Sequence, residues 1–134
     1  MRVVVDPNVL ISAAVATGVS AQLVDRWLTE RPFEIVTWPA LLAELGEVLR
    51  RGKFRRWIDH DVVDRFVDLI QQESESWPDP VEVAPVTSDP KDDYLVALYR
   101  HSVADLIVSG DPDLTSMSVE DMDVLTPGEL LKRL

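Results

Sequence analysis

The chain contains no cysteine. Disulfides, zinc-thiolate sites, iron-sulfur clusters and cysteine nucleophiles are therefore excluded, and the absence accords with a reducing compartment. Histidine is nearly as scarce: His60 and His101 stand alone, and neither has a neighbour at metal-ligand spacing. Long apolar runs are missing too. The longest, Val9 to Val19, is broken by Ser12, Thr17 and Gly18 and falls short of the ~20 residues that cross a bilayer. Asp6 spoils a signal-peptide reading of the N-terminus, so the expectation is a cytoplasmic protein with no membrane contact. No glycine-rich phosphate loop and no nucleophile-elbow serine is present. Cations are in the minority, 13 Lys and Arg against 24 Asp and Glu for a net charge of −11. That balance opposes a protein that holds nucleic acid by general electrostatic attraction.

What is present suffices for one core. At 134 residues and 46% apolar composition the chain reads as a single domain spanning 1–134. Arg2-Val3-Val4-Val5-Asp6 is a strand stopped by an aspartate. Ser20 is expected to cap a helix running to about Thr29, with Leu23, Val24, Trp27 and Leu28 as its apolar stripe. Phe33 to Thr37 reads as a strand, and Pro39 opens a helix that ends near Gly52 and carries Glu44 and Glu47. A helix from about Asp61 to Glu75 is expected to bury Val62, Val63, Phe66, Val67 and Ile70 before Trp77-Pro78-Asp79-Pro80 breaks it. Val81 to Val86 reads as a strand, Lys91 to His101 as a helix, and Leu106 to Val108 and Val124-Leu125 as strands. Thr126-Pro127-Gly128-Glu129 has the form of a capping box. Alternating strands and helices predict a three-layer α/β/α domain around a largely parallel sheet of four to five strands.

Carboxylates recur at informative places: Asp6, Glu44, the pair Asp92 and Asp93, and Asp111 with Asp113 nearby. Taken singly, each is readily a turn former, a helix cap or a solvated side chain. Taken together they suggest a cleft. If the strands ending at Asp6 and near Asp111 are neighbours, both aspartates open onto the carboxyl edge of the sheet, where ligands of such folds bind. Gathered carboxylates repel, and a divalent cation is one way to hold them ionised. An all-oxygen donor set suits Mg²⁺ or Mn²⁺, ions that work on phosphate, which makes phosphodiester hydrolysis the expected activity. Asn8, Ser12 and Ser109 could orient these carboxylates from behind.

Five of the 13 cations, Arg50, Arg51, Lys53, Arg55 and Arg56, fall within seven residues. They read equally as a solvated helix end and as a phosphate-contacting or partner-docking patch. Among the four tryptophans, Trp27, Trp38, Trp57 and Trp77, an exposed one would mark an interface.

Four segments bear a family likeness. Asp6-Pro7-Asn8-Val9-Leu10-Ile11-Ser12-Ala13, Glu44-Leu45-Gly46-Glu47-Val48-Leu49 with Arg51, Lys53 and Phe54, Asp89-Pro90-Lys91-Asp92-Asp93, and Ala104-Asp105-Leu106-Ile107-Val108-Ser109-Gly110-Asp111-Pro112-Asp113-Leu114 occur in order. Together they resemble the PIN-domain ribonucleases, in particular the VapC-like toxin components of toxin-antitoxin pairs. The resemblance implies a flat acidic pocket in a Rossmann-like domain, Mg²⁺- or Mn²⁺-dependent cleavage of single-stranded RNA and an antitoxin partner, while the sequence leaves open whether the chain forms a homodimer. It makes Asp6, Glu44, Asp92 and Asp111 the acidic quartet, with Asp93 a rival for the third place and Asp113 for the fourth. Pro7 departs from the family's Thr or Ser and removes a hydroxyl and an N–H beside the first aspartate, whereas Ser109 keeps the hydroxyl of the usual Thr.

Three other readings stand beside this one. An aspartate-nucleophile phosphatase would want a second aspartate where Asn8 stands. A receiver domain would want a lysine after a late strand, where Val124-Leu125-Thr126-Pro127 has none. A binding module of the same fold that has lost catalysis is the remaining alternative.

Overall fold

β1 (Arg2–Val5) is buried at Val3, Val4 and Val5, as expected of a strand covered on both faces. It lies at the centre of the sheet in this computed structural model, which describes residues 1–116 and 122–134. β2 (Glu34–Thr37), β3 (Glu75–Ser76), β4 (Leu106–Val108) and β5 (Val124–Leu125) complete a five-stranded sheet of order β3-β2-β1-β4-β5. Every neighbouring pair is parallel. The chain first builds outward from β1 through β2 to β3, then crosses back to β4 and β5. With right-handed crossovers, that reversal puts the connecting helices on both faces and makes the β1–β4 seam the switch point of the sheet.

α1 (Pro7–Val15) and α2 (Val19–Glu30) pack on each other, and α7 (Pro127–Arg133) packs on α2. α3 (Pro39–Leu49) packs on α1 and on α4 (His60–Glu73), while α5 (Pro90–His101) lies against β1 and β4. A 3₁₀ turn at Gly52–Phe54 links α3 to α4, and α6 (Pro112–Thr115) is a single turn after β4. The core runs through Leu10, Trp27, Ile35, Leu45, Ile70, Leu98, Ile107 and Leu130, each 2% exposed or less. Trp38 is buried with them, Trp77 is half-buried and Trp57 is exposed.

The expected α/β architecture is present, with four local departures. The segment 81–86 forms no strand. Pro85 removes a ladder donor, and the N–H of Val86 is taken by the Asp93 carboxylate at 3.0 Å. Its place at the sheet edge goes to Glu75-Ser76, just where the preceding helix was expected to end. α1 fills a stretch whose apolar run gave no helical reading, although Asp6 followed by Pro7 is a cap-and-first-turn signal. α2 starts from Gly18 without a side-chain cap, so Ser20 lies inside the helix. Val62 is exposed on α4, whose buried face is Val63 and Ile70. The Thr126–Glu129 capping box forms as expected.

α5 ends at an expensive residue. Ala104 N–H reaches Tyr99 O at 3.0 Å and Val103 N–H reaches Arg100 O at 3.3 Å, the paired bonds that close a helix on a left-handed residue. That residue is Val103, at φ 52°, where a β-branched side chain costs about 1–2 kcal/mol and glycine costs nothing. Val103 is 77% exposed, so little packing is lost with its side chain. Val103→Gly is expected to raise the unfolding free energy by about 1 kcal/mol, measured by urea titration.

Candidate active site

Five of the seven helices among the described residues begin with proline at the first helical position, and three of the residues before those prolines are aspartates. Asp6, Asp89 and Asp111 thus cap α1, α5 and α6, accepting from the N–H of Asn8 at 3.0 Å, of Lys91 at 2.9 Å and of Asp113 at 2.9 Å. Capping engages one carboxylate oxygen of each.

The β1–β4 seam sets the spacing. Val5 pairs with Val108, and Asp6 N–H continues the ladder to Val108 O at 2.9 Å. This brings Asp6 beside Ser109, which is fully buried. The Ser109 hydroxyl donates to Asp6 Oδ2 at 2.8 Å and accepts from Asp111 N–H at 3.0 Å. One hydroxyl thus ties both aspartates to the carboxyl edge. Pro7 occupies the first position of α1, where no intrahelical N–H is needed. The cap bond comes from Asn8, and Pro7 leaves it undisturbed.

Asp6, Glu44, Asp92 and Asp111 line one cleft of about 380 Å³ with Asp89, Lys91, Trp38 and Tyr94. Burial first, then repulsion from Asp89, Asp111, Asp6 and Asp113, pushes the Asp92 carboxyl up to about 6. Asp93 does not line this cleft. Its Oδ1 accepts from Val86 N–H at 3.0 Å and Thr87 N–H at 2.6 Å, and it lies against a separate hollow on the far side of α5. Hydrogen bonding from Thr87, foremost through its side chain, holds the Asp93 carboxyl below the usual range in spite of burial. Asp113 is exposed and does not line the cleft; its N–H donates to Asp111, and its charge is among those that raise Asp92. Arg50, Arg51, Lys53, Arg55 and Arg56 do not line the cleft either.

Two features of the cleft carried no expectation from sequence. Lys91 Nζ lies 3.7 Å from Glu44 Oε1, bringing a cation to the mouth of an acidic site. Trp38 and Tyr94 face each other with ring centroids 5.9 Å apart and form an apolar wall. Tyr94 donates to Asp79 Oδ1 at 2.9 Å, and Ala40 N–H donates to the same oxygen at 3.0 Å. Burial, then the bond and charge of Asp79, push the Tyr94 hydroxyl up to about 12. Asp79 thereby joins the start of α3 to α5 and fixes the width of the cleft. An Asp between two prolines reads as a turn, which hid this role.

The donor set suits a hard divalent cation, since it is all carboxylate with no cysteine or histidine. Among the described residues no three such groups already converge as a ready-made ligand cluster.

A parallel sheet with an all-carboxylate cleft at its switch point defines a class, the Rossmann-like α/β domains with an acidic pocket. Sequence comparison then narrows the class: the PIN-domain profile matches residues 2–113, and the chain belongs to the PIN-domain family. Among solved structures, it is similar to a chain of VapBC2 from Rickettsia felis bound to a DNA fragment from their promoter. Identity is 10%, coverage is 94% of this chain and 98% of that one, and the TM-score is 0.62. The likeness is one of fold. No curated protein matches the sequence. Among the described residues no single helix is long and apolar enough to cross a membrane.

Proposed function

We propose that the chain is a Mg²⁺- or Mn²⁺-dependent endoribonuclease that cuts single-stranded RNA in the cytoplasm and is held in check by an antitoxin protein. The observation that carries this reading is the meeting of Asp6, Glu44, Asp92 and Asp111, from four separate stretches of sequence, in one cleft at the β1–β4 switch point. Asp6, Asp92 and Asp111 would hold the metal, and Glu44 would orient a water at the opposite wall. The bound cation would supply a lowered water pKa and charge compensation at the phosphate. Ser109 and the Asn8 N–H at the start of α1 hold the Asp6 carboxylate in place. Lys91, released from Glu44, would meet a phosphate oxygen at the cleft mouth, and the Trp38–Tyr94 wall offers a surface for a base. The PIN-domain membership and the fold shared with a VapBC2 chain support the toxin role, an antitoxin partner and self-association as a dimer.

The test is incubation of the purified protein with mixed-sequence RNA in Mg²⁺ or Mn²⁺, with and without chelator. Internal cleavage that EDTA abolishes is expected. Cleavage that persists in EDTA would remove the metal from the mechanism. No cleavage and no metal binding by calorimetry would leave the fold as a binding module.

A further inference from the structure

We infer that the turn Lys53–Trp57 is a second, non-catalytic site for single-stranded RNA, gripping the strand by its phosphates and one stacked base. This rests on the ribonuclease reading of the cleft. A chain of net charge −11 with an acidic active site repels a polyanionic substrate, and the repulsion has to be met somewhere. The segment from Arg50 to Trp57 has five cations and no acidic residue, leaving eight Lys and Arg against all 24 Asp and Glu elsewhere. A nucleic acid strand meets concentrated positive charge here.

The structure divides these cations into two sets. Arg50 is paired with Asp64, and Arg51 with Glu47 at 3.8 Å. Lys53, Arg55 and Arg56 are exposed and have no carboxylate partner among the described residues. Arg56 lies over the Trp57 ring at 5.3 Å from its centroid, and Trp57 is 57% exposed. Arg55 Nη1 lies 3.1 Å from His60 Nε2, and an indole left in solvent beside guanidinium groups without a carboxylate partner has the form of a platform on which a base stacks while its phosphates are held. An acidic protein partner would use the same charges. It gives no reason for an exposed indole already backed by a cation.

Placement relative to the cleft fits as well. Glu44 and Glu47, at i and i+3, share one side of α3, which ends at Leu49. The basic turn therefore follows the end of the helix that carries Glu44, whose last residue lies about 7.5 Å along the axis from it, and a strand whose phosphate sits among the carboxylates can extend toward it.

The test uses the full chain carrying Asp6→Asn, in chelator, so that binding is read without cleavage. A fluorescein-labelled 16-nucleotide RNA is titrated by anisotropy at several salt concentrations. Combining Lys53→Gln, Arg55→Gln and Arg56→Gln is expected to lower the salt slope by about 2 and weaken binding at low salt. Trp57→Ala should weaken binding about 10-fold while Trp57→Phe restores most of it, and an abasic strand of equal charge should bind both Trp57 variants alike. Circular dichroism confirms that these surface variants fold. Unchanged RNA affinity and slope in the triple variant would overturn the inference, as would displacement of RNA by poly-glutamate as readily as by unlabelled RNA. The measurement stands apart from catalysis: failure of the wild type to cut RNA defeats the ribonuclease reading, whereas only these binding results decide the turn.

Discussion

Asp6→Asn is expected to lose RNA cleavage by about 100-fold or more while its melting temperature stays within a few degrees of the wild type. Partners that merely orient a metal ligand are worth roughly 10- to 100-fold, so loss of a proposed ligand should cost more. Stability should hold for a reason visible in the hydrogen bonds. Asp6 accepts from Asn8 N–H on one oxygen and from the Ser109 hydroxyl on the other. Asparagine keeps one acceptor and turns an NH₂ toward the second donor, which costs about 1 kcal/mol. Removing one of several repelling carboxylates offsets that loss, since Asp6 is among the charges that raise Asp92. Gel-based cleavage and a thermal melt on the same preparation check both halves. Full activity in the variant would show that Asp6 is only a cap.

Asp92 and Asp93 are adjacent, yet their removal should move stability in opposite directions. Asp93 is the acceptor for two backbone N–H groups that tie the 81–87 loop to α5. Asp93→Ala strands both donors and is expected to lower the melting temperature by roughly 5–10 °C at pH 7. Its folded-state pKa is lowered, so this contribution is present above the ordinary carboxylate range and is lost as pH falls through the folded value.

Asp92 is the reverse case, raised from 3.8 to about 6. The folded protein then binds more protons than the unfolded chain between about pH 4 and 6, so the charge on Asp92 costs stability that is absent below that window and fully felt above it. Asp92→Asn should therefore stabilise the metal-free protein at pH 7 and make no difference near pH 3.5. Two units would correspond to about 3 kcal/mol, but the cleft is open to solvent and screening leaves about 1 kcal/mol. Added Mg²⁺ should stabilise the wild type by the same route and do less for Asp92→Asn. Melts at pH 3.5, 5 and 7, with and without Mg²⁺, separate these outcomes.

How far the site could be read from sequence depends on what carries each feature. The strands at Val3–Val5 and Leu106–Val108 are continuous apolar runs, and their adjacency follows from the crossover rule, so the meeting of Asp6 with Asp111 was legible. The α1 helix was missed because its sequence is apolar on nearly every side and has no clear stripe. Asp6-Pro7 marks a helix start but supplies no face for the residues that follow. Choosing between Asp92 and Asp93 was beyond a sequence argument, because neighbouring helix residues point about 100° apart and the direction depends on where α5 lies. The strand expected at 81–86 failed because alternating valines say nothing about competition from a carboxylate six or seven residues away. Lys91 and Asp79 join the site through tertiary contacts with Glu44, Ala40 and Tyr94, for which no local pattern exists.

The two outer strands of the sheet, β3 and β5, are each only two residues long. A border that short offers another chain hardly two rungs of backbone to grasp, so edge-to-edge pairing has little to build on. Among the described residues, what the molecule presents to its surroundings is side chains carried on helices and on the basic turn. A partner that recognises it must therefore read a pattern of charges and rings, and cannot add a strand by simple extension of the sheet.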